Sequence, residues 1–112
     1  MEEFPGVFTS GVDTDDWEPV PDSPGSEFHK LVETDGFRAG LWRVTGEGSS
    51  SFPWTPPARE AFLVLEGEVR IQVAGGPEVK LGPGSIASLA PGVETTWHVT
   101  TPFKDMYVIA DR

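Results

Sequence analysis

From residue 28 onward the chain alternates short apolar runs with turn formers, and that spacing predicts strands. Phe28 to Thr34 ends at Asp35-Gly36, and Phe37 to Thr45 ends at Gly46 and Gly48. A stiff loop carrying Pro53, Pro56 and Pro57 follows. Ala61 to Glu66 breaks at Gly67 and returns as Val69, Ile71 and Val73 alternating with Arg70 and Gln72, which reads as a hairpin with one wet and one dry face. Val79 and Leu81 form a short strand before Gly82-Pro83-Gly84. Ile86 to Ala90 stops at Pro91-Gly92, Thr95 to Thr100 stops at Pro102, and Met106 to Ala110 follows. Roughly eight or nine short strands and no helix are expected, an all-β antiparallel barrel or sandwich.

Composition supports that pattern. The 112 residues include 13 Gly and 11 Pro, and the longest stretches free of both are 26–35 and 103–112. Such intervals suit strands of about 4 to 8 residues better than an amphipathic helix. A chain of this size makes one domain and buries about two thirds of its unfolded surface. With no cysteine, disulfides, thiolate metal sites, iron–sulfur clusters and cysteine nucleophiles are excluded.

Charge changes the picture in two ways. The net charge of -10 makes nucleic acid and an anionic membrane surface unfavourable partners. The acidity is also uneven: residues 1–35 hold ten acids against Lys30, a net of -9, while residues 36–112 hold eight acids and seven bases, a net of -1. Residues 1–27 therefore read as an acidic N-terminal arm and residues 28–112 as the barrel. The arm is either a strap pegged to the sheet by Trp17 or a tail that binds a partner. Neither a basic, apolar leader nor a membrane-length apolar run is present, so a cytoplasmic protein is expected.

Two stretches resemble a known pattern. Gly48, Trp54, Pro56, Glu60 and Gly67 fall on the spacing G-x5-H-x-H-x3-E-x6-G, the first signature of the cupins. Gly84, Gly92, Thr95 and Val99 fall on the second, G-x5-P-x-G-x2-H-x3-N, with its proline shifted to Pro91. The run from Ala90 to Trp97, the early Gly40-Leu41-Trp42 and the late Met106-Tyr107-Val108-Ile109 are similar to a subgroup of small single-domain cupins. That subgroup is related to the ureidoglycine aminohydrolase and ethanolamine-utilisation cupins. The resemblance covers roughly residues 36 to 110 and implies an RmlC-like double-stranded β-helix, a cupin-type antiparallel barrel or jelly roll. It also implies a homodimer, for which Ala61, Leu63 and Leu65 are the candidate outward face.

Relatives with this motif hold a metal through imidazole nitrogens and one carboxylate. Here the resemblance leaves only Glu60, because Trp54, Pro56 and Thr95 stand at three histidine positions. Indole donates but does not accept, proline lacks a side-chain lone pair, and a threonine hydroxyl is a poor ligand for borderline ions. His98 lies three residues beyond Thr95 and so points away from the Thr95, Trp97 and Val99 face. No metal or other cofactor is expected.

Glu60 shares strand parity with Phe62 and Val64, and in such a barrel it would project inward among aromatic groups. Burial would raise its pKa toward neutrality, as general acid–base catalysis requires. The functional reading has Glu60 moving a proton on a small organic molecule held between Trp42, Trp54 and Trp97, in a lyase, isomerase or cyclase. Phe62 would line the same space, and Thr95 and Tyr107 would orient the ligand if their strands face inward. The structural reading pairs Glu60 with Arg43, Arg59 or Arg70 and leaves the tryptophans as packing. Two further possibilities stay open: a ligand-binding sensor or accessory protein acting through its dimer surface or arm, and a barrel filled by its own side chains.

Overall fold

The computed structural model describes residues 2–21, 23, 25–46 and 49–111. Gly48, the first glycine of the motif, lies outside them. The described residues form ten strands and no helix: β1 (Glu2–Phe4), β2 (Val7–Phe8), β3 (Glu18–Pro19), β4 (Ser26–Thr34), β5 (Phe37–Val44), β6 (Ser49–Trp54), β7 (Arg59–Val73), β8 (Glu78–Leu81), β9 (Ile86–Leu89) and β10 (Thr95–Ala110). The fold is all-β and antiparallel throughout.

Two strands differ from the expected hairpin and short segments. Ala61–Glu66 and Val69–Val73 belong to one 15-residue strand, β7, and the segments on either side of Pro102 belong to the 16-residue β10. The reason is that β7 and β10 pair with each other, from Thr95 opposite Val73 to Ala110 opposite Arg59. Gly67 and Pro102 therefore mark a shared corner. Gly67 takes a φ of 83°, and a Cβ on it would run into the Pro102 carbonyl oxygen, so only glycine lets the two backbones approach there. Pro53 likewise lies within β6 rather than in a loop. It is tolerated because β6 pairs only with β10, leaving an edge without a ladder partner.

The corner turns one sheet into two layers. On one side of it, β5 pairs with β10 over residues 103–110 and β9 with β7 over residues 60–63. On the other, β6 pairs with β10 over residues 95–100 and β8 with β7 over residues 69–72. Strand alternation sends Phe62, Val64, Val69, Ile71, Trp97, Val99, Phe103, Tyr107 and Ile109 into one core between the layers. Contact between Phe62 and Trp97, at 5.0 Å between ring centroids, joins the two layers across it.

The first residues lie against the outside of one layer. β1 and β2 form a separate two-stranded ribbon, and β3 adds to the edge of β4. The Trp17 ring lies 4.0 Å from the Arg43 guanidinium and 6.0 Å from the His29 ring, and its Nε1 donates to the Thr14 carbonyl. His29 is buried on this outer side, bonded to the Ser10 hydroxyl and the Asp16 carbonyl at 2.7 Å each. Lys104 donates to the Val12 carbonyl at 3.0 Å.

Candidate functional site

Glu60 is the second residue of β7, and the alternation of that strand turns it inward with Phe62 and Val64. It is only 6% exposed. The arginines offered as its partners are engaged elsewhere or are not within ion-pair reach of it: Arg43 pairs with Glu27 at 2.7 Å and Arg70 with Glu78 at 3.4 Å. Glu60 instead accepts a 2.8 Å hydrogen bond from the indole Nε1 of Trp54, at the end of β6. Burial raises its pKa above the ordinary carboxylate value, an effect that the Trp54 bond and the Arg38 charge only moderate.

Thr95, Trp97 and Val99 are buried on the inward face, and His98 on the opposite face bonds Ser51 at 2.7 Å. Thr95 does not offer a free hydroxyl: its Oγ1 donates to the Trp54 carbonyl and receives the Trp97 indole Nε1 at 3.1 Å. These bonds fasten Trp54, and through it Glu60, to β10. Tyr107 is buried on the same side and meets Phe28 edge-on at 5.7 Å. Burial, with the nearby Glu33 charge, pushes its pKa up to about 12, so it is a neutral hydrogen-bonding phenol at physiological pH.

The expected trio of tryptophans divides. Trp42 and Trp97 touch each other at 6.1 Å and share a cluster with Phe52, Phe62 and Phe103, at centroid distances of 5.0 to 5.9 Å. Among the described residues Trp54 has no ring contact with either, because its indole is turned to Glu60. Trp42, half-buried, and Trp97, buried, thus belong to the aromatic core, while Trp54 belongs to the acid.

One residue had no motif to announce it. Asp105 lies on β10 between Phe103 and Tyr107, opposite Trp42 of β5 and Val64 of β7. It is 2% exposed, and its Oδ1 has no hydrogen-bond partner. Burial raises its pKa well above the ordinary value, and the Glu60 charge raises it further, so it stays protonated where exposed carboxyls ionise. The available signal was an acid at an inward position of an otherwise apolar alternation.

These groups do not fit the metal that such barrels hold. The Trp54 nitrogen is a donor already spent on Glu60, Pro56 has no side-chain lone pair, and the Thr95 hydroxyl is bound into the wall. Both imidazoles face outward, and among the described residues no three His, Asp or Glu come together. The arrangement can hold and move protons: two buried acids and a phenol on one inward face, with the exposed Arg38 two strands away in register with Glu60.

The outer face of the same layer is apolar. Ala61, Leu63, Ile86, Ala87, Met106 and Val108 border a depression of about 440 Å³, at whose edge Ile86 is 76% exposed. A second one of about 140 Å³ lies where residues 10–12 cross Leu31, Leu41 and Met106.

Known structures share this fold. The structure superposes on an RmlC-like cupin from Shewanella frigidimarina with a TM-score of 0.73 and 18% identity, covering 94% of this chain and 90% of that one. It matches KdgF from Halomonas sp. with a TM-score of 0.71 and 17% identity, covering 87% and 86%, and the Clostridium difficile EutQ protein with 0.65 and 18%, covering 77% and 68%. No protein of curated function matches the sequence. The profile of the EutQ-like cupin domain matches residues 31–107, and with most of its length inside that match the chain belongs to the EutQ-like cupin domain family.

Proposed function

We propose that this cupin works without a metal, binds a small organic molecule at the Trp54 end of its barrel, and uses Glu60 to exchange a proton with it. Replacement of the family's ligating histidines by Trp54, Pro56 and Thr95 is part of this reading. The observation that carries it is the state of Glu60: buried, without a basic partner within ion-pair distance among the described residues, and held by one indole donor. An ion pair with an arginine would have held it ionised. Glu60 instead keeps an acceptor and a raised proton affinity beside an aromatic wall, which suits lyase, isomerase or cyclase chemistry by proton transfer. A cytoplasmic location accompanies the proposal.

The experiment is a screen of small acids, alcohols and amides in deuterated water, followed by NMR. The compound that binds should acquire deuterium at carbon with the wild-type protein and not with Glu60→Gln, while Trp54→Ala weakens its binding. Unchanged binding and unchanged exchange in Glu60→Gln would remove the proposal.

A second reading rests on the outer depression with its exposed Ile86, which favours an accessory protein acting through a surface, including a homodimer. Ile86→Glu would leave a monomer unchanged in light scattering and would split a dimer built on that face.

A further inference from the structure

The first two strands form a ribbon without a support. β1 and β2 pair only with each other, Glu2 opposite Phe8 and Phe4 opposite Val7. A two-stranded ribbon alone in water is marginal and gains stability by packing an apolar side against another element. Such a side exists: directly opposed residues point the same way, so Phe4 and Val7 stand together, and Phe4 is 69% exposed. Among the described residues seven large apolar side chains are exposed, and Phe4, Val7, Phe8 and Val12 account for four of them. Ile86 is another.

The sheet carries the matching surface. Its outward positions 39 and 41 on β5, 106, 108 and 110 on β10, 61, 63 and 65 on β7, and 86 and 88 on β9 hold no charged residue. Residues 10–12 cross this face only as far as Met106, and the rest stays open as the depression of about 440 Å³ around Ala61, Leu63, Ile86 and Val108. None of residues 2–9 lines it. At its border Arg59 is exposed, opposite Ala110, and has no ion pair among the described residues. The ribbon brings Glu2 and Glu3, the sign of charge that such a border attracts.

Reach decides whose ribbon enters. Ser10 is held at the His29 ring on β4, and Val7, three residues before it, extends at most about 10 Å from that point. Strands lie about 4.8 Å apart, which puts β10 about 10 Å from β4, β7 about 14 Å and β9 about 19 Å. Within one chain the Phe4–Val7 pair therefore stops at β10, short of Leu63 and Ile86. A second copy has no such tether. Apposing the two open faces alone would join patches three strands wide, about 14 by 20 Å, well below the about 800 Å² per partner of a stable pair. Exchanged ribbons add a further contact, made twice by symmetry.

We propose that this chain forms a two-fold dimer in which each ribbon lays Phe4 and Val7 in the other copy's depression, its acids toward the partner's Arg59. This rests on reading the outer depression as a docking face and adds the segment that fills it.

The chain has no cysteine, so introduced thiols report a single contact. Phe4→Cys and Ile86→Cys, made as separate proteins and mixed under mild oxidation, should cross-link about fivefold or more faster than Phe4→Cys mixed with Lys80→Cys on β8 of the other layer. Light scattering should show a dimer whose dissociation constant rises about tenfold or more in Phe4→Glu, and likewise in Ile86→Glu. Both side chains are exposed in the single chain, so neither substitution costs the fold a buried contact. A monomer, or a dimer weakened by neither substitution, would overturn the inference and the docking-face reading together. A dimer weakened by Ile86→Glu alone would overturn the inference and leave the docking face standing. A monomeric disulfide in the protein carrying both Phe4→Cys and Ile86→Cys would seat the ribbon in its own depression and would likewise overturn it.

Discussion

Glu60 and Asp105 sit on the same inner face, Glu60 near the Arg59 end of the β7–β10 ladder and Asp105 toward its middle beside the corner, and the chain treats them differently. Around Glu60 the sequence invests in support: the Trp54 indole donates to it, and Thr95 and Trp97 hold Trp54 in place. Around Asp105 it supplies apolar rings and no donor to Oδ1. The difference teaches that burial alone does not identify a finished site. A supported acid is a group whose proton is controlled, and an unsupported one is a group whose proton never leaves.

The comparison can be broken most forcefully at the wall the two regions share. Trp97→Ala removes the ring that meets Trp42, Phe52 and Phe62 and the donor to Thr95, and it should cost about 3–5 kcal/mol in urea unfolding. A cost near that of a surface change would mean that the cluster does not hold the layers together.

Replacing Asp105 by Leu sharpens the contrast, because it should stabilise the protein by about 1–3 kcal/mol at pH 8. Both acids have raised pKa values in the folded state. Their favourable contribution is therefore complete below the unfolded-state values and is lost as pH rises through the folded-state ones. The gain from Asp105→Leu should shrink steadily as melts are repeated from pH 8 down to pH 4, and a gain that grew on acidification would show the opposite shift. The smallest effect belongs to Glu78→Ala. Its pair with Arg70 is about half exposed, and the change should stay within about 0.5 kcal/mol.

The fold was readable from residues 28 to 110 because alternation and glycine spacing speak directly of strands. The misreadings were at Gly67 and Pro102, since a residue that ends a strand and a residue that bends one look alike until the partner strand is known. Glu60 and Thr95 were legible through their motif spacing, and Trp97 through parity with Thr95. Asp105 was not, for it belongs to no motif and its significance lies in what fails to reach it. The separation of Trp54 from the other two tryptophans was likewise hidden, because it depends on a side-chain bond between β6 and β7 that no pattern along either strand records.

The corner at Gly67 and Pro102 has a mechanical consequence. Because β7 and β10 each pass through it and supply strands to both layers, neither layer can be peeled away while the other keeps its pairing. The two layers should melt as a single cooperative block. The little β1–β2 ribbon, bonded into neither layer, can come loose without disturbing that block.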